Sequence, residues 1–168
     1  MTTTSPDSTP PAILDDPRLT TTGLLMEVTA GVRAAFEPDL VAHGLTGSAF
    51  DVLIRLARSP EQRLRMTDLA DQSTLSNSGL TRVIDRLLHN GLVQRIRHER
   101  DRRVYYAAIT HRGLDLVLGA LPSHLETLDR ALIDVLSPDE LAAFEHALRK
   151  VRAVVKPGAD PKQATLSA

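Results

Sequence analysis

The chain has 168 residues, a length that suits one compact domain at roughly 100 to 200 residues per domain and excludes a large multidomain enzyme. Apolar residues make up 42% and charged residues 24%, close to the soluble globular average, which excludes wholesale disorder, collagen-like repeats and a membrane-embedded architecture. Cysteine and tryptophan are absent and aromatics amount to 3%, so disulfides, thiol nucleophiles and Cys-based zinc sites are excluded, and the core must be aliphatic. A palette led by Leu and Ala favours helices over sandwiches, and the expected fold is mainly α.

Residues 1–11 are Thr, Ser, Pro and Asp for the most part, and they read as a disordered tail without the charged start and apolar run of a signal peptide. With no run near the roughly 20 apolar residues of a membrane helix, the expected location is the cytoplasm. Leu25, Val28, Val32 and Phe36 recur at helical spacing, predicting a first helix over about residues 20–36; Pro38 interrupts the pattern, with a continuation toward His43 left open. Thr46 can cap a second helix carrying Phe50, Leu53, Ile54 and Ala57, which ends before Pro60. Thr67 precedes a helix of two turns around Leu69 and Ala70, and residues 73–76 form a polar turn.

The next helix, over about residues 77–89, places Leu80, Val83, Ile84 and Leu87 on one stripe, with Ser76 or Asn77 as cap and Asn90-Gly91 as the stop. The period then changes, and residues 93–97 and 104–109 read as a two-stranded hairpin around a charged loop. Helical spacing resumes at Gly113 and predicts a long helix to about Leu136, kinked at Pro122. The last helix opens on Ser137-Pro138-Asp139-Glu140, a capping box with Pro at the first helical position, and stops at Pro157-Gly158. Residues 157–168 read as a second disordered tail.

A net charge of −1 argues against a nucleic-acid partner only if charge is evenly spread. Between Ser76 and Tyr106 there are seven arginines and three acidic residues, a net of +4, which leaves −5 for the rest. This asymmetry points to a dedicated anion-binding face. Two short helices around a small turn, followed directly by the hairpin, form a helix-turn-helix with a wing. At about 100° per residue, Ser78, Arg82, Asp85, Arg86 and His89 lie opposite the aliphatic stripe. Such a face suits phosphates and guanine edges in the major groove. The loop Arg97-His98-Glu99-Arg100-Asp101-Arg102-Arg103 is cationic enough to reach an adjacent minor groove, with Asp101 holding a neighbouring guanidinium in one rotamer.

The fragments Leu45-Thr46, Met66-Thr67-Asp68-Leu69-Ala70, Thr81-Arg82-Val83-Ile84-Asp85-Arg86-Leu87, Asn90-Gly91-Leu92-Val93, Asp101-Arg102-Arg103 and Ile109-Thr110-His111-Arg112-Gly113 are specific in their order and spacing. Over roughly residues 45–113 the chain resembles the MarR family of bacterial winged-helix regulators. The resemblance implies a ligand-responsive repressor that acts as a homodimer on a pseudo-palindromic operator at the nucleoid. Residues 45–112 would form the DNA-binding domain, and residues 12–44 and 113–156 the dimerisation helices. It also implies that Arg82 lies on the DNA-facing helix, that Arg103 is the wing-tip arginine and Asp101 its orienting partner. The Leu-rich faces of the last two helices independently exceed what a winged domain alone would cover.

Ser76, Asn77, Ser78 and Thr81 serve either as caps and local hydrogen-bond formers or as DNA contacts. Thr67 and Ser76 are caps first and phosphate contacts second, and Arg82 has Asp85 at i+3 as an alternative partner. Arg86, Arg95, Arg97 and Arg100 fit phosphate contacts or surface charges, and the family likeness makes Arg102 a second wing arginine beside Arg103. The family likeness implies an effector pocket for small aromatic or phenolic anions, lined here by Val32, Phe36, His43, Phe50 and Leu53, which are otherwise ordinary core. The six histidines contain no HxxxH or HExxH spacing, and no G-x-S-x-G elbow occurs, so neither a metal, another cofactor nor catalysis is expected. Without cysteine, the peroxide-sensing mechanism of the family is excluded. The rival reading is a winged-helix protein-interaction module without specific DNA binding.

Overall fold

The computed structural model describes residues 12–98 and 104–159. A 3-10 turn, Ala12–Asp15, leads into α1 (Pro17–Ala42), which Asp16 caps by accepting from the Arg18 amide at 2.9 Å. The helix continues past Pro38 to Ala42, the continuation that the sequence left open. The proline removes one bond to the carbonyl of Ala34, but both residues are exposed, so water can satisfy that carbonyl. Beyond the proline, Leu40 is buried and anchors the last turn.

Thr46 caps α2 (Gly47–Arg58), as its sequence suggests, by accepting from the Ala49 amide at 3.2 Å. A 3-10 turn, Pro60–Gln62, then enters a strand that the sequence reading lacks: β1 (Arg63–Arg65) precedes α3 (Met66–Gln72) and α4 (Asn77–His89). β2 (Val93–Arg97) and β3 (Tyr105–Ile109) form the expected hairpin, but the sheet has three antiparallel strands in the order β1-β3-β2, not two. Leu64 of β1 pairs with Ala107 of β3 and is itself buried. The third strand therefore stitches the base of the hairpin to the core between α2 and α3.

α5 (His111–Leu128) is shorter than the helix expected to Leu136, giving way to a π-type turn over Asp129–Ile133. There the Thr127 hydroxyl donates to the Asp39 carboxylate at 2.6 Å and accepts from Arg130 at 3.2 Å, tying this end of α5 to α1. α6 (Pro138–Val155) carries the capping box of Ser137 and Glu140. The Ser137 amide and hydroxyl both donate to Glu140, holding its carboxyl below the usual range. The tail expected from residue 157 begins instead as a 3-10 turn, Pro157–Ala159, with Ala159 buried.

The core is aliphatic, as the composition requires. Val52, Leu53 and Leu56 of α2 meet Leu69 of α3, Ile84 of α4 and Val117 of α5, all essentially without solvent contact. No buried residue lies on α6, and α1 buries only Leu40. No single helix among the described residues is long and apolar enough to cross a membrane.

Candidate nucleic-acid interface

α3 and α4 are joined by the turn Ser73-Thr74-Leu75-Ser76. Ser73 is fully buried as the C-cap of α3, and its hydroxyl accepts from the Leu75 amide at 3.4 Å. Ser76 is the N-cap of α4, accepting from the Gly79 amide at 3.2 Å and lying 3.3 Å from the Ser78 hydroxyl. A Cβ at Gly79 would sit 3.2 Å from the Ser76 hydroxyl, so glycine makes room for this cap. Thr67 does not cap α3. That role falls to the backbone of Arg65, and Thr67 lies exposed inside the first turn, 3.3 Å from Asp68.

α4 buries Leu80, Ile84 and Leu87 and exposes Asn77, Ser78, Thr81, Arg82, Asp85, Arg86 and His89, the face that the helical period assigns to solvent. The Thr81 hydroxyl donates to the Asn77 carbonyl at 2.9 Å and keeps its lone pairs outward. Asp85 does not hold Arg82. It accepts from Arg95 of β2 at 2.9 Å, a pair with both side chains about half exposed. Arg82 and Arg86 make no ion pair among the described residues. The one carboxylate on this face is thus neutralised by the wing, and two guanidinium groups remain for an anionic partner.

The wing tip residues Arg100, Asp101, Arg102 and Arg103 lie outside the described residues. At the base of the wing, Arg97 donates to the Tyr105 hydroxyl at 3.2 Å with its guanidinium 5.6 Å from that ring. The His98 ring stacks on Tyr106 at 5.9 Å. Two arginines that sequence reasoning missed share this surface. Arg63 and Arg65 of β1 place their guanidinium carbons 5.0 and 6.0 Å from the Tyr106 ring centre, and Arg65 donates to the Tyr106 hydroxyl at 3.4 Å. Both are half-buried, and their stacking on tyrosine limits the rotamers available to them. The only sequence signal was the polar-apolar-polar triplet Arg63-Leu64-Arg65, too short to establish a period of two.

Of the residues expected to line an effector pocket, Phe36 and Phe50 converge on one group, the His124 ring of α5, at centroid distances of 4.2 and 4.5 Å. His43 donates from Nδ1 to the Asp39 carbonyl at 2.9 Å. Val32 is half-buried on α1, while Leu53 is fully buried in the core. Sequence reasoning did not connect His124 with this cluster, because only the packing of α5 across α1 and α2 brings it there. Burial lowers the His124 pKa, partly opposed by the Asp39 carboxylate, and its Nδ1 has no hydrogen-bond partner among the described residues. A separate cleft of about 300 Å³ lies between residues 44–49 and α4, lined by Arg82, Val83, Arg86 and Leu87 among others. No group of three or more histidine or acidic side chains among the described residues is placed to hold a metal ion.

A profile of the MarR family matches residues 45–105. The HTH-type transcriptional regulator MhqR of Bacillus subtilis (strain 168) is 33% identical over 109 residues, which is 65% of this chain and 73% of that protein. Among solved structures, AbsC of Streptomyces coelicolor, a MarR family transcriptional regulator, superposes with a TM-score of 0.77 at 31% identity, covering 84% of this chain and 96% of that one. Sco3205 of the same organism, a MarR family regulator solved in complex with DNA, has a TM-score of 0.77 at 26% identity, with coverages of 84% and 90%.

Proposed function

The chain belongs to the MarR family, and from that premise we propose that it is a sequence-specific transcriptional regulator that binds double-stranded DNA as a homodimer and represses by occupying a pseudo-palindromic operator. The observation that carries this reading is the exposed face of α4. There a serine-capped helix presents Arg82 and Arg86 without ion-pair partners among the described residues, while Arg95 neutralises the intervening Asp85. Arg82 suits a bidentate contact to a guanine edge, and Ser76, Asn77, Ser78 and Thr81 supply hydroxyl and amide groups around it. Arg86, and Thr67 on α3, face phosphates. Arg103 enters the minor groove beside the wing, oriented by Asp101 and flanked by Arg100 and Arg102.

Residues 45–112 act as the reading head, and residues 12–44 and 113–156 as the dimerisation region. Leu25, Met26 and Val28 on α1, Leu118 and Leu125 on α5, and Val151 and Val155 on α6 are exposed apolar side chains that a second copy would cover. Two-fold pairing sets the two α4 helices about one DNA turn, roughly 34 to 36 Å, apart. A small aromatic or phenolic anion releases the DNA from a pocket around Val32, Phe36, His43, Phe50 and Leu53, with His124 as the polar group facing the two phenyl rings. The protein is not catalytic in this reading, and it works in the cytoplasm on the bacterial nucleoid.

The test is selection of bound duplexes from a random pool, followed by binding of the selected duplex across a salt series. A two-fold symmetric consensus and an affinity that falls steeply with added salt are expected. No enrichment, or an affinity indifferent to salt, would favour a protein-interaction module instead.

A further inference from the structure

We propose that residues 156–159 form a clasp that ties the end of α6 to the turn before α4 of the same chain and holds α4 in its DNA-reading position. The functional half of this proposal rests on the DNA reading above; the structural half does not. α6 has no buried residue along its 18 positions, and only Leu141, Phe144 and Arg152 are partly covered, so its side chains hold it weakly within its own chain. Its C-terminal end is different. The Lys156 ammonium donates to the carbonyl oxygen of Ser73, the fully buried C-cap of α3. The backbone at Gly158 lies so close to Asp71 that a Cβ there would stand 3.1 Å from the Asp71 Cβ. Ala159 is 8% exposed.

These contacts reinforce one another. The last carbonyls of a helix lack intrahelical partners and carry partial negative charge, so an ammonium group at that end is favourable. Glycine at 158 permits the close approach that brings Ala159 into its buried position. Ser73 lies just ahead of Ser76, whose hydroxyl caps α4, so the clasp holds the entry to α4 from behind. At the other end of α4, Thr110 donates its hydroxyl to the Gly91 carbonyl at 2.8 Å and caps α5. α4 is thus attached to the long helices at both ends, and a shift of α6 reaches it through the clasp.

The chain contains no cysteine, so Asp71→Cys with Gly158→Cys introduces a single pair at a spacing that needs only small adjustment to reach the roughly 3.5 to 4.5 Å between the Cβ atoms of a disulfide. After oxidation of the full-length protein, a denaturing gel without reductant should show a faster-migrating monomer. That species should bind the selected duplex within about twofold of the parent. A disulfide-linked dimer, no crosslink, or a crosslinked monomer that no longer binds would each overturn the clasp. Lys156→Met and Gly158→Val open it from opposite sides, one by losing a bond and one by collision. Each should weaken duplex binding roughly three- to tenfold with the dimer intact by sedimentation, and oxidation of the cysteine pair placed in the Lys156→Met background should restore it. Parent-like binding by both variants would overturn the functional half. If the parent itself selects no duplex, the DNA reading falls, while the gel still reports on the clasp.

Discussion

Leu53, Leu56 and Ile84 in the reading head are 0% exposed, whereas Met26 on α1 and Val154 on α6 are 64% and 81% exposed. The two regions draw on similar aliphatic residues and differ in where their partners come from. The head closes its core within one chain, from short helices, a three-stranded sheet, Leu40 of α1 and Val117 and Ala120 of α5. α1 and α6 have apolar faces that a single chain leaves in water. If a second copy covers those faces, as proposed above, dimerisation depends on the shape of α1 and α6, while the core of the head needs no second chain.

This contrast can be broken at its weakest side first. Val151→Glu with Val155→Glu places two charges on the uncovered face of α6. The head should stay folded by circular dichroism, the protein should sediment as a monomer, and operator affinity should fall by about 10²- to 10⁴-fold as bivalent binding is lost. Where α5 leaves the head, a Cβ at Gly113 would lie 2.2 Å from the Leu92 carbonyl oxygen. Gly113→Ala should therefore lower stability by about 1 to 3 kcal/mol, read as a shifted midpoint in urea denaturation. Arg82→Ala sharpens the comparison because it changes reading without changing either core. Affinity should weaken by about 1 to 3 kcal/mol with base preference relaxed at one position per half-site, and uniform weakening across sequences would make Arg82 a phosphate contact.

The smallest expected effect lies at the junction of the two regions. His124 has its pKa lowered from 6.5 by burial between Phe36 and Phe50. Its folded pKa lies below its unfolded one, so the unfolded chain binds the proton more readily. The stability tied to the neutral ring is complete above the unfolded pKa and is lost as pH falls through the folded value. Denaturation midpoints should decline modestly below pH 6.5, and His124→Leu should remove that part of the slope.

α4 was legible in the sequence because cap, aliphatic stripe and stop all agree within 13 residues, and its exposed face followed from the same period. The capping box at Ser137 and Glu140 was legible for the same reason. β1 was not, since three residues cannot establish a period and its pairing partner lies more than 40 positions away. The Asp85–Arg95 pair depends on how β2 packs beside α4, so the sequence offered Asp85 only the local partner Arg82 at i+3. Pro157-Gly158 was read as a stop signal, which it is. That Pro157–Ala159 itself docks on α3 is a tertiary fact with no local pattern. The π-type turn after Leu128 belongs to the same class, since the bond that ties the neighbouring Thr127 to Asp39 spans 88 positions.

The anchoring of α5 at Thr110 and Gly113 sets a mechanical ratio. With 18 residues at 1.5 Å each, α5 is about 27 Å long, and its near end is fixed to the last turn of α4 through Gly91 and Leu92. If that joint stays rigid, a displacement of about 1 Å at the far end tilts the whole assembly by about 2° over a length of about 27 Å. A shift smaller than one methyl group beside Asp39 and Thr127 would then turn the exposed face of α4 by the same angle without any contact at that face.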